Sequence, residues 1–213
     1  MKETLFPIDE PGSLFFEDQA RERGSRFIAG IDEAGRGPLA GPVVAAAVIL
    51  PAEFDLPGLT DSKKLSRKKR EELYPLIRQQ SIAVGVALAS PREIDCSNIL
   101  AATLTSMHRA VSRLPVPADY LLVDGMTPIA SKLPQKTITQ GDSRSLSIAA
   151  ASVVAKVVRD RIMIAFDRHF PAFGFARHKG YGSTEHREAI ARLGPTPLHR
   201  TSFRGVREFV ADP

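Results

Sequence analysis

The feature that most restricts the fold of this chain is an unbroken apolar run at residues 43–50, VVAAAVIL. A run of this length suits a β-strand and is far short of the roughly 20 apolar residues that a membrane span requires. A second strand pattern at residues 27–32 precedes it, and a turn rich in glycine and proline separates the two. We therefore predict a buried β-hairpin.

The rest of the sequence alternates between helix and strand patterns. Apolar spacing predicts helices at residues 66–80, 91–114, 145–169 and 184–192, strands at 82–89, 120–123 and 136–139, and a loop at 171–181. A hairpin followed by strand–helix units predicts one α/β domain with a mixed sheet. We assign residues 27–213 to this domain. Residues 1–26, which are acidic overall, are assigned to an N-terminal extension that becomes helical near residue 13.

The charge distribution favours a polyanionic partner. Lys and Arg number 29 against 24 Asp and Glu, which gives a net charge of +5 and a pI near 9.6. Six cations and no acid fall in residues 63–70, and residues 177–208 hold seven cations against three acids. These two basic zones are suited to flank one phosphate backbone, although solvated helix faces have the same composition.

Composition also excludes several classes of protein. Hydrophobic residues make up 43% and charged residues 25%, which is ordinary for a globular domain and not for a disordered or fibrous chain. The single Cys96 excludes an internal disulfide framework and a cysteine-built zinc site. No basic leader followed by an apolar block opens the chain. We expect a cytoplasmic monomer with no membrane partner.

Carboxylates stand where predicted strands end. Asp32 and Glu33 close the first strand. Asp124 and Asp142 follow two later strands. Acids gathered at one sheet edge repel each other unless cations neutralise them, and divalent metal ions do so through oxygen ligands. Together with basic zones that hold a polyanion, this pattern indicates a metal-dependent nuclease. Each acid alone is also compatible with a turn or a helix cap, and Asp142 in particular could cap the helix that follows.

Five ordered blocks make the sequence similar to one family. Residues 31–44, IDEAGRGPLAGPVV, resemble the opening signature of ribonuclease HII. The other blocks that resemble this family are DSKKL at 61–65, VDG at 123–125, GDSRSLSIAAASVVAKVVRD at 141–160 and HKGYG at 178–182. They occur in the family's order. One departure is Thr201, which stands after Arg200 where the family usually has a second arginine.

The resemblance implies an RNase H-like mixed β-sheet flanked by helices, with a short helical C-terminal part. It implies two Mg²⁺ or Mn²⁺ ions held by four catalytic acids, which are Asp32, Glu33, Asp124 and Asp142. The implied reaction is hydrolysis of the RNA strand of RNA/DNA hybrids and incision on the 5′ side of single ribonucleotides embedded in duplex DNA. Its products carry 3′-hydroxyl and 5′-phosphate ends.

The resemblance and the residue chemistry also imply a substrate-binding set. Gly35, Arg36 and Gly37 form a turn whose backbone groups can approach a ribose 2′-hydroxyl closely. The family packs a tyrosine of its fifth block, here Tyr181, on the adjoining deoxynucleotide sugar. The residues expected to face phosphates or the substrate are Lys63, Lys64, Ser152 and Lys156, with Arg159 on the same helix face.

Two alternatives from other classes stay open. A junction resolvase or transposase-like DNA nuclease also needs clustered acids and basic flanks, but the turn at 35–37 and Tyr181 argue against it. A non-catalytic RNA-binding protein satisfies the charge balance, but it has no electrostatic reason to keep four mutually repelling acids.

Two further acids are ambiguous. Asp61 either caps the basic helix or contacts the site, and Asp160 is interpreted as a partner for a nearby arginine.

Overall fold

Five strands form one mixed sheet with the first strand at its centre. The computed structural model describes residues 13–210. The strands are β1 (Ile28–Ala34), β2 (Val43–Ile49), β3 (Ala83–Ala89), β4 (Tyr120–Asp124) and β5 (Gln135–Ile138). Their order across the sheet is β3-β2-β1-β4-β5. β1, β2 and β3 pair antiparallel, whereas β4 and β5 run parallel to β1. The structure thus confirms the hairpin and the mixed sheet.

Helices cover both faces of this sheet. Those in residues 13–210 are α1 (Phe15–Glu22), α2 (Arg67–Gln80), α3 (Pro91–Cys96), α4 (Ile99–Ser112), α5 (Leu146–Asp167), α6 (Phe175–His178) and α7 (Thr184–Leu193). On one face α4 contributes Met107 and Ala110 to the core. On the other face α2 and α5 pack through residues such as Leu73, Ile77 and Val153. Every residue of β2 is buried between these layers, as the apolar run predicted.

Two predicted segments differ from the structure. The single helix expected at 91–114 is divided, because Ser97 ends α3 and the side chain of Asn98 accepts a hydrogen bond from Ala101 N at 2.9 Å, which starts α4. Asparagine competes for backbone partners in this way and therefore favours caps over helix interiors. The loop expected at 171–181 contains the short helix α6, since Phe175 is buried against α7 and its neighbours.

Helix α5 packs directly on β1 because Gly30 has no side chain. A Cβ at this position would lie 2.1 Å from the backbone carbonyl carbon of Ser147. The residues of α5 that follow, from Ala149 to Ser152, are all buried and small. This close approach brings the middle of α5 alongside the end of β1 that carries the acids.

The N-terminal helix α1 packs on the sheet. Its Phe16 and Ala20 are buried with Ile28 of β1 and with hydrophobic residues of β4 and α5. The carboxylate of Glu17 accepts hydrogen bonds from Ser145 Oγ at 2.7 Å and from Ser147 N at 2.9 Å, at the N-terminus of α5. A negative charge is favoured at that helix end. The boundary between residues 1–26 and the rest stays a prediction, and residues 1–12 lie outside the described part.

The C-terminal helical part packs against the loop between β1 and β2. Leu39 and Ala40 of that loop share a hydrophobic cluster with Met163, Ile190 and Val206. A single β-bridge also pairs Ala40 with His199. The C-terminal part is therefore attached to the segment that leaves β1. Across residues 13–210, no helix combines the length and hydrophobicity needed to cross a bilayer.

We predict that Gly30→Ala will lower the free energy of unfolding by about 3 kcal/mol, because neither the strand nor the helix backbone can yield to the added methyl group. The measurement is urea unfolding followed by circular dichroism. Gly37→Ala serves as the matched control, since a Cβ at Gly37 would meet no atom within 4 Å. Equal stability of the two variants would contradict the proposed packing of α5 on β1.

Candidate active site

Three carboxylates converge at one edge of the sheet. The parallel register pairs Ile31 with Val123, so Asp32 and Asp124 leave their strands side by side. Glu33 follows Asp32, and oxygen atoms of Asp32, Glu33 and Asp124 lie within 4.8 Å of one another. Three of the four predicted acids therefore form one cluster that could hold a metal ion.

The electrostatics of this cluster favour a bound cation. Asp32 is only 2% exposed, and one of its oxygens accepts the N–H of Glu33 at 2.6 Å. Its other oxygen, Oδ2, has no hydrogen-bond partner in residues 13–210. Burial, followed by repulsion from Glu33 and Asp124, raises the pKa of Asp32 well above its usual value. An unpartnered buried oxygen in an all-oxygen donor set is a suitable ligand for Mg²⁺ or Mn²⁺.

Asp142 lies next to this cluster in a short 3₁₀ turn, Gly141–Ser143. It is not the cap of α5, because Ser145 has that role and accepts the N–H of Ile148 at 3.2 Å. Burial raises the pKa of Asp142, and Asp124 adds to the rise while Lys63 opposes it. The ammonium of Lys63 lies 3.2 Å from the Asp142 carboxylate.

The backbone and the lysines complete the acidic edge. Asp124 accepts the N–H of Gly141 at 2.7 Å, which ties β4 to the turn that carries Asp142. Lys64 Nζ reaches Ser143 Oγ at 3.1 Å. Asp61 accepts the N–H of Lys63 at 2.8 Å, so it shapes the lysine turn, whereas Ser66 caps α2. The N-cap interpretation of Asp61 was thus wrong.

A cleft of about 220 Å³ adjoins the acids and collects most of the predicted substrate-binding residues. Its lining consists of Glu33, Ala34, Gly35, Arg36, Gly37, Ser62, Lys63, Lys156 and Tyr181. Ser152 is buried and lies within 2.7 Å of the hydroxyl of Ser62. Lys156 forms an ion pair with Asp160 at 2.7 Å, so the partner of Asp160 is a lysine and not the arginine expected from the sequence.

The two basic zones meet beside Tyr181. A second cleft of about 630 Å³ is lined by Arg67 and Arg70 from the first zone and by Arg177 and Lys179 from the second, with Lys156, Asp160, Ala176, His178 and Tyr181. Tyr181 is 46% exposed, and the centroid of its ring lies 5.9 Å from Lys156 Nζ. Two cations of each zone therefore share one cleft.

Three histidines that the sequence analysis did not single out support the Tyr181 segment. Nδ1 of His199 accepts the N–H of Thr196 at 2.9 Å, so its proton sits on Nε2, 3.0 Å from Nε2 of His186. His186 therefore donates from Nδ1 to the Tyr181 carbonyl at 2.9 Å. His178 stacks on His186 with 4.4 Å between ring centroids. Burial lowers the pKa of His186 and His199 to about 4, and both rings are neutral at pH 7.

Two buried arginines lie behind the turn at residues 35–37, called the glycine turn below. The expectation for one of them was wrong. Arg159, which was expected to face the substrate, lines neither cleft. It is fully buried and donates to the carbonyls of Ala40, Pro42 and Lys179. Arg200 is equally buried and donates to the carbonyls of the turn itself. The sequence signal for these roles was limited to position: Arg159 lies inside the fourth block, and Arg200 lies in the C-terminal tail.

A family model described as Ribonuclease HII matches residues 29–206. The chain belongs to the ribonuclease HII family. Ribonuclease HII of Syntrophotalea carbinolica is 66% identical over 206 residues, which are 97% of this chain and 99% of that one. Ribonuclease HII of Geobacter sulfurreducens is 57% identical over 213 residues, which are 100% of this chain and 98% of that one.

Solved structures share this fold. The ribonuclease H2 of Pyrococcus horikoshii OT3 has a TM-score of 0.73 at 24% identity, covering 86% of this chain and 97% of that one. A chain of the PCNA:RNase HII complex of Archaeoglobus fulgidus has a TM-score of 0.71 at 28% identity, covering 84% and 96%. The RNase H-like fold and the family resemblance are confirmed, and the protein is an RNA-strand endonuclease, a hydrolase.

We predict that the free energy of unfolding decreases as the pH falls, because His186 and His199 are neutral in the folded protein. Unfolded histidine titrates near pH 6.5, so between pH 6.5 and about 4 the unfolded state binds more protons than the folded state. Each histidine then contributes a loss of up to about 3 kcal/mol as the pH falls through that window. The measurement is urea unfolding from pH 7 to pH 4.

The variant that isolates this effect is His199→Gln, which removes one titrating ring. We expect it to be less stable than the parent at pH 7 but to lose less stability on acidification. His169→Gln, which removes an exposed imidazole, is the control and should keep the parental pH dependence. An unchanged pH dependence in His199→Gln would show that the buried rings do not carry the effect.

Proposed function

We propose that this ribonuclease hydrolyses the RNA strand of RNA/DNA hybrids and also incises duplex DNA on the 5′ side of single embedded ribonucleotides. The observation that carries this proposal is the shared cleft of the turn at 35–37 and Tyr181, next to the acidic cluster. Backbone groups suit a 2′-hydroxyl, which both donates and accepts hydrogen bonds. An exposed phenol ring suits a neighbouring sugar that has no 2′-hydroxyl to solvate.

In this proposal the acids hold two divalent ions, Mg²⁺ or Mn²⁺. The residues are Asp32, Glu33, Asp124 and Asp142, whose donors are all oxygen. Bound ions of this kind supply a water of lowered pKa and stabilise negative charge on the leaving 3′-oxygen. The protein's own residues prepare the site for an anion. Lys63 offsets the charge of Asp142, and Arg36 lies 3.4 Å from Glu33.

The basic cleft on the far side of Tyr181 suits the continuing phosphate backbone. Arg67 and Lys179 both line this cleft, one from each basic zone. Phosphate contacts fix the register of a duplex on a protein without reading its sequence. The cut position is then set by the sugar readout and not by the base sequence. Products would carry 3′-hydroxyl and 5′-phosphate ends.

We further propose that the protein acts as a monomer in the cytoplasm. One chain supplies the acidic cluster, the turn at 35–37 and Tyr181 without a residue from a second copy. The two relatives come from the bacteria Syntrophotalea carbinolica and Geobacter sulfurreducens. In bacteria the DNA that forms the proposed substrate lies in the cytoplasm.

The test of this function uses a labelled DNA duplex that contains one ribonucleotide, with Mg²⁺, with Mn²⁺ and with EDTA. We expect a metal-dependent nick on the 5′ side of the ribonucleotide and no cut in an all-DNA duplex. Asp32→Asn should lower the rate by at least about a thousandfold while substrate binding stays equal or tightens, since repulsion of the phosphate is reduced.

The control for this substitution is Asp55→Asn, the same chemical change at an exposed acid away from the cleft, which should keep full activity. Undiminished turnover in Asp32→Asn would refute its metal role. Cutting of the all-DNA duplex would favour the junction resolvase, and tight binding without any cut would favour a non-catalytic RNA-binding protein.

We predict that the basic cleft makes binding salt-dependent. Arg67→Ala should reduce the slope of log affinity against log salt by about one, as expected for the loss of one phosphate contact. Lys68→Ala is a matched control, because Lys68 is the next residue on α2, lies 4.0 Å from Glu72 and does not line the cleft. The measurement is fluorescence anisotropy between about 50 and 200 mM salt. Equal slopes in the two variants would remove Arg67 from the interface.

A further inference from the structure

Arg200 is a buried cation whose three guanidinium nitrogens all donate to backbone carbonyls. Its exposed fraction is 0%. It donates to the carbonyl oxygens of Gly35 at 2.5 Å, Arg36 at 2.8 Å and Gly41 at 2.9 Å. Within residues 13–210, no carboxylate lies at hydrogen-bond or ion-pair distance from its guanidinium. Burying a charge that forms no ion pair is costly. The four hydrogen bonds of Arg200 in turn impose a specific geometry on the turn.

The geometry gained is the orientation of two successive peptide groups. A trans peptide is planar and points its C=O and the following N–H in opposite directions. Residues 13–210 contain no cis peptide bond. Because Arg200 draws the carbonyls of Gly35 and Arg36 inward, the N–H groups of Arg36 and Gly37 point away from the protein interior. Arg36 and Gly37 are exposed and line the 220 Å³ cleft.

Arg159 holds the loop between β1 and β2 from a second direction. Its guanidinium donates to the carbonyls of Ala40 at 3.1 Å, Pro42 at 3.0 Å and Lys179 at 3.0 Å, which links the part of the loop that follows the turn at 35–37 to the segment that carries Tyr181. Gly35 has a φ of +97°, and a Cβ there would lie 1.9 Å from Nε of Arg159. Glycine is therefore required at 35 both by its backbone conformation and by the arginine against it.

We propose that Arg200 is a positioning residue for ribose recognition: it turns the carbonyls of Gly35 and Arg36 inward so that the N–H groups of Arg36 and Gly37 face the 2′-hydroxyl of the ribonucleotide. The inference rests on the proposed function, because it names the groups that read the sugar in the same cleft. It extends that function to a residue of the C-terminal tail that contacts no substrate.

A lysine cannot take over this role. The guanidinium is a rigid planar fork that reaches several carbonyls at once, whereas an ammonium is a point charge on a flexible stem. Arg200→Lys therefore keeps the buried charge but releases at least one of the two peptide groups. We expect this variant to lose discrimination between ribose and deoxyribose and to keep its general affinity for duplex DNA.

The experiment measures dissociation constants, in EDTA, for a duplex with one ribonucleotide and for the same duplex in DNA alone. In Arg200→Lys we expect the preference for the ribonucleotide to fall by about tenfold or more, as for the loss of one or two hydrogen bonds. Affinity for the all-DNA duplex should stay unchanged. Leu114→Ala, a core substitution on the other face of the sheet, controls for lost stability and should keep the preference.

A preserved preference in folded Arg200→Lys would overturn the inference. If that variant does not fold, amide exchange in the unaltered protein gives the answer. The N–H groups of Arg36 and Gly37 should become protected on binding the ribonucleotide duplex and not on binding the all-DNA duplex, and equal protection in both would overturn the inference. If the unaltered protein neither prefers nor nicks the ribonucleotide duplex, the proposed function itself fails, which separates the two outcomes.

Discussion

Repulsion among carboxylates at one edge of the sheet is the constraint on which the rest of the structure depends. Asp32 ends the central strand in a buried position, and the parallel register with β4 brings Asp124 beside it. Such a cluster is tolerable only where cations can reach it. Lys63 and Arg36 approach from two different loops, and the negative charge that they leave uncompensated makes this edge suited to a metal ion.

Behind the acidic edge the protein uses two kinds of polar support. Where carbonyls must be turned inward, it buries a charged donor, as Arg159 and Arg200 show beneath the glycine turn. Where a peptide must be held without adding charge, it uses neutral imidazole, as His186 does at the Tyr181 carbonyl. Both supports bring distant parts of the chain to the two segments that line the 220 Å³ cleft. The C-terminal part is thus a structural element of the site and not an appendage.

The predictions from sequence succeeded where a local pattern carried the information and failed where an alternative local pattern existed. The apolar run of β2 and the joint placement of Asp32, Glu33 and Asp124 at strand ends carried such a pattern, and the structure agrees with both. Asp142 could cap a helix, but Ser145 does so, because the 3₁₀ turn places Asp142 toward Asp124. The division of the helix expected at 91–114 depended on one side chain, Asn98, competing for a backbone N–H.

The sequence by itself determined the strand and helix pattern, the family, and which carboxylates could meet, because hydrophobic periodicity and residue order are local properties of a chain. Only the tertiary structure decided what Arg159 and Arg200 do. On a helix face or in a tail an arginine reads as a phosphate contact, and only burial against backbone carbonyls makes it an internal support. The bonds from Arg200 join residues 159 to 165 positions apart in the chain. No local pattern encodes contacts across that distance.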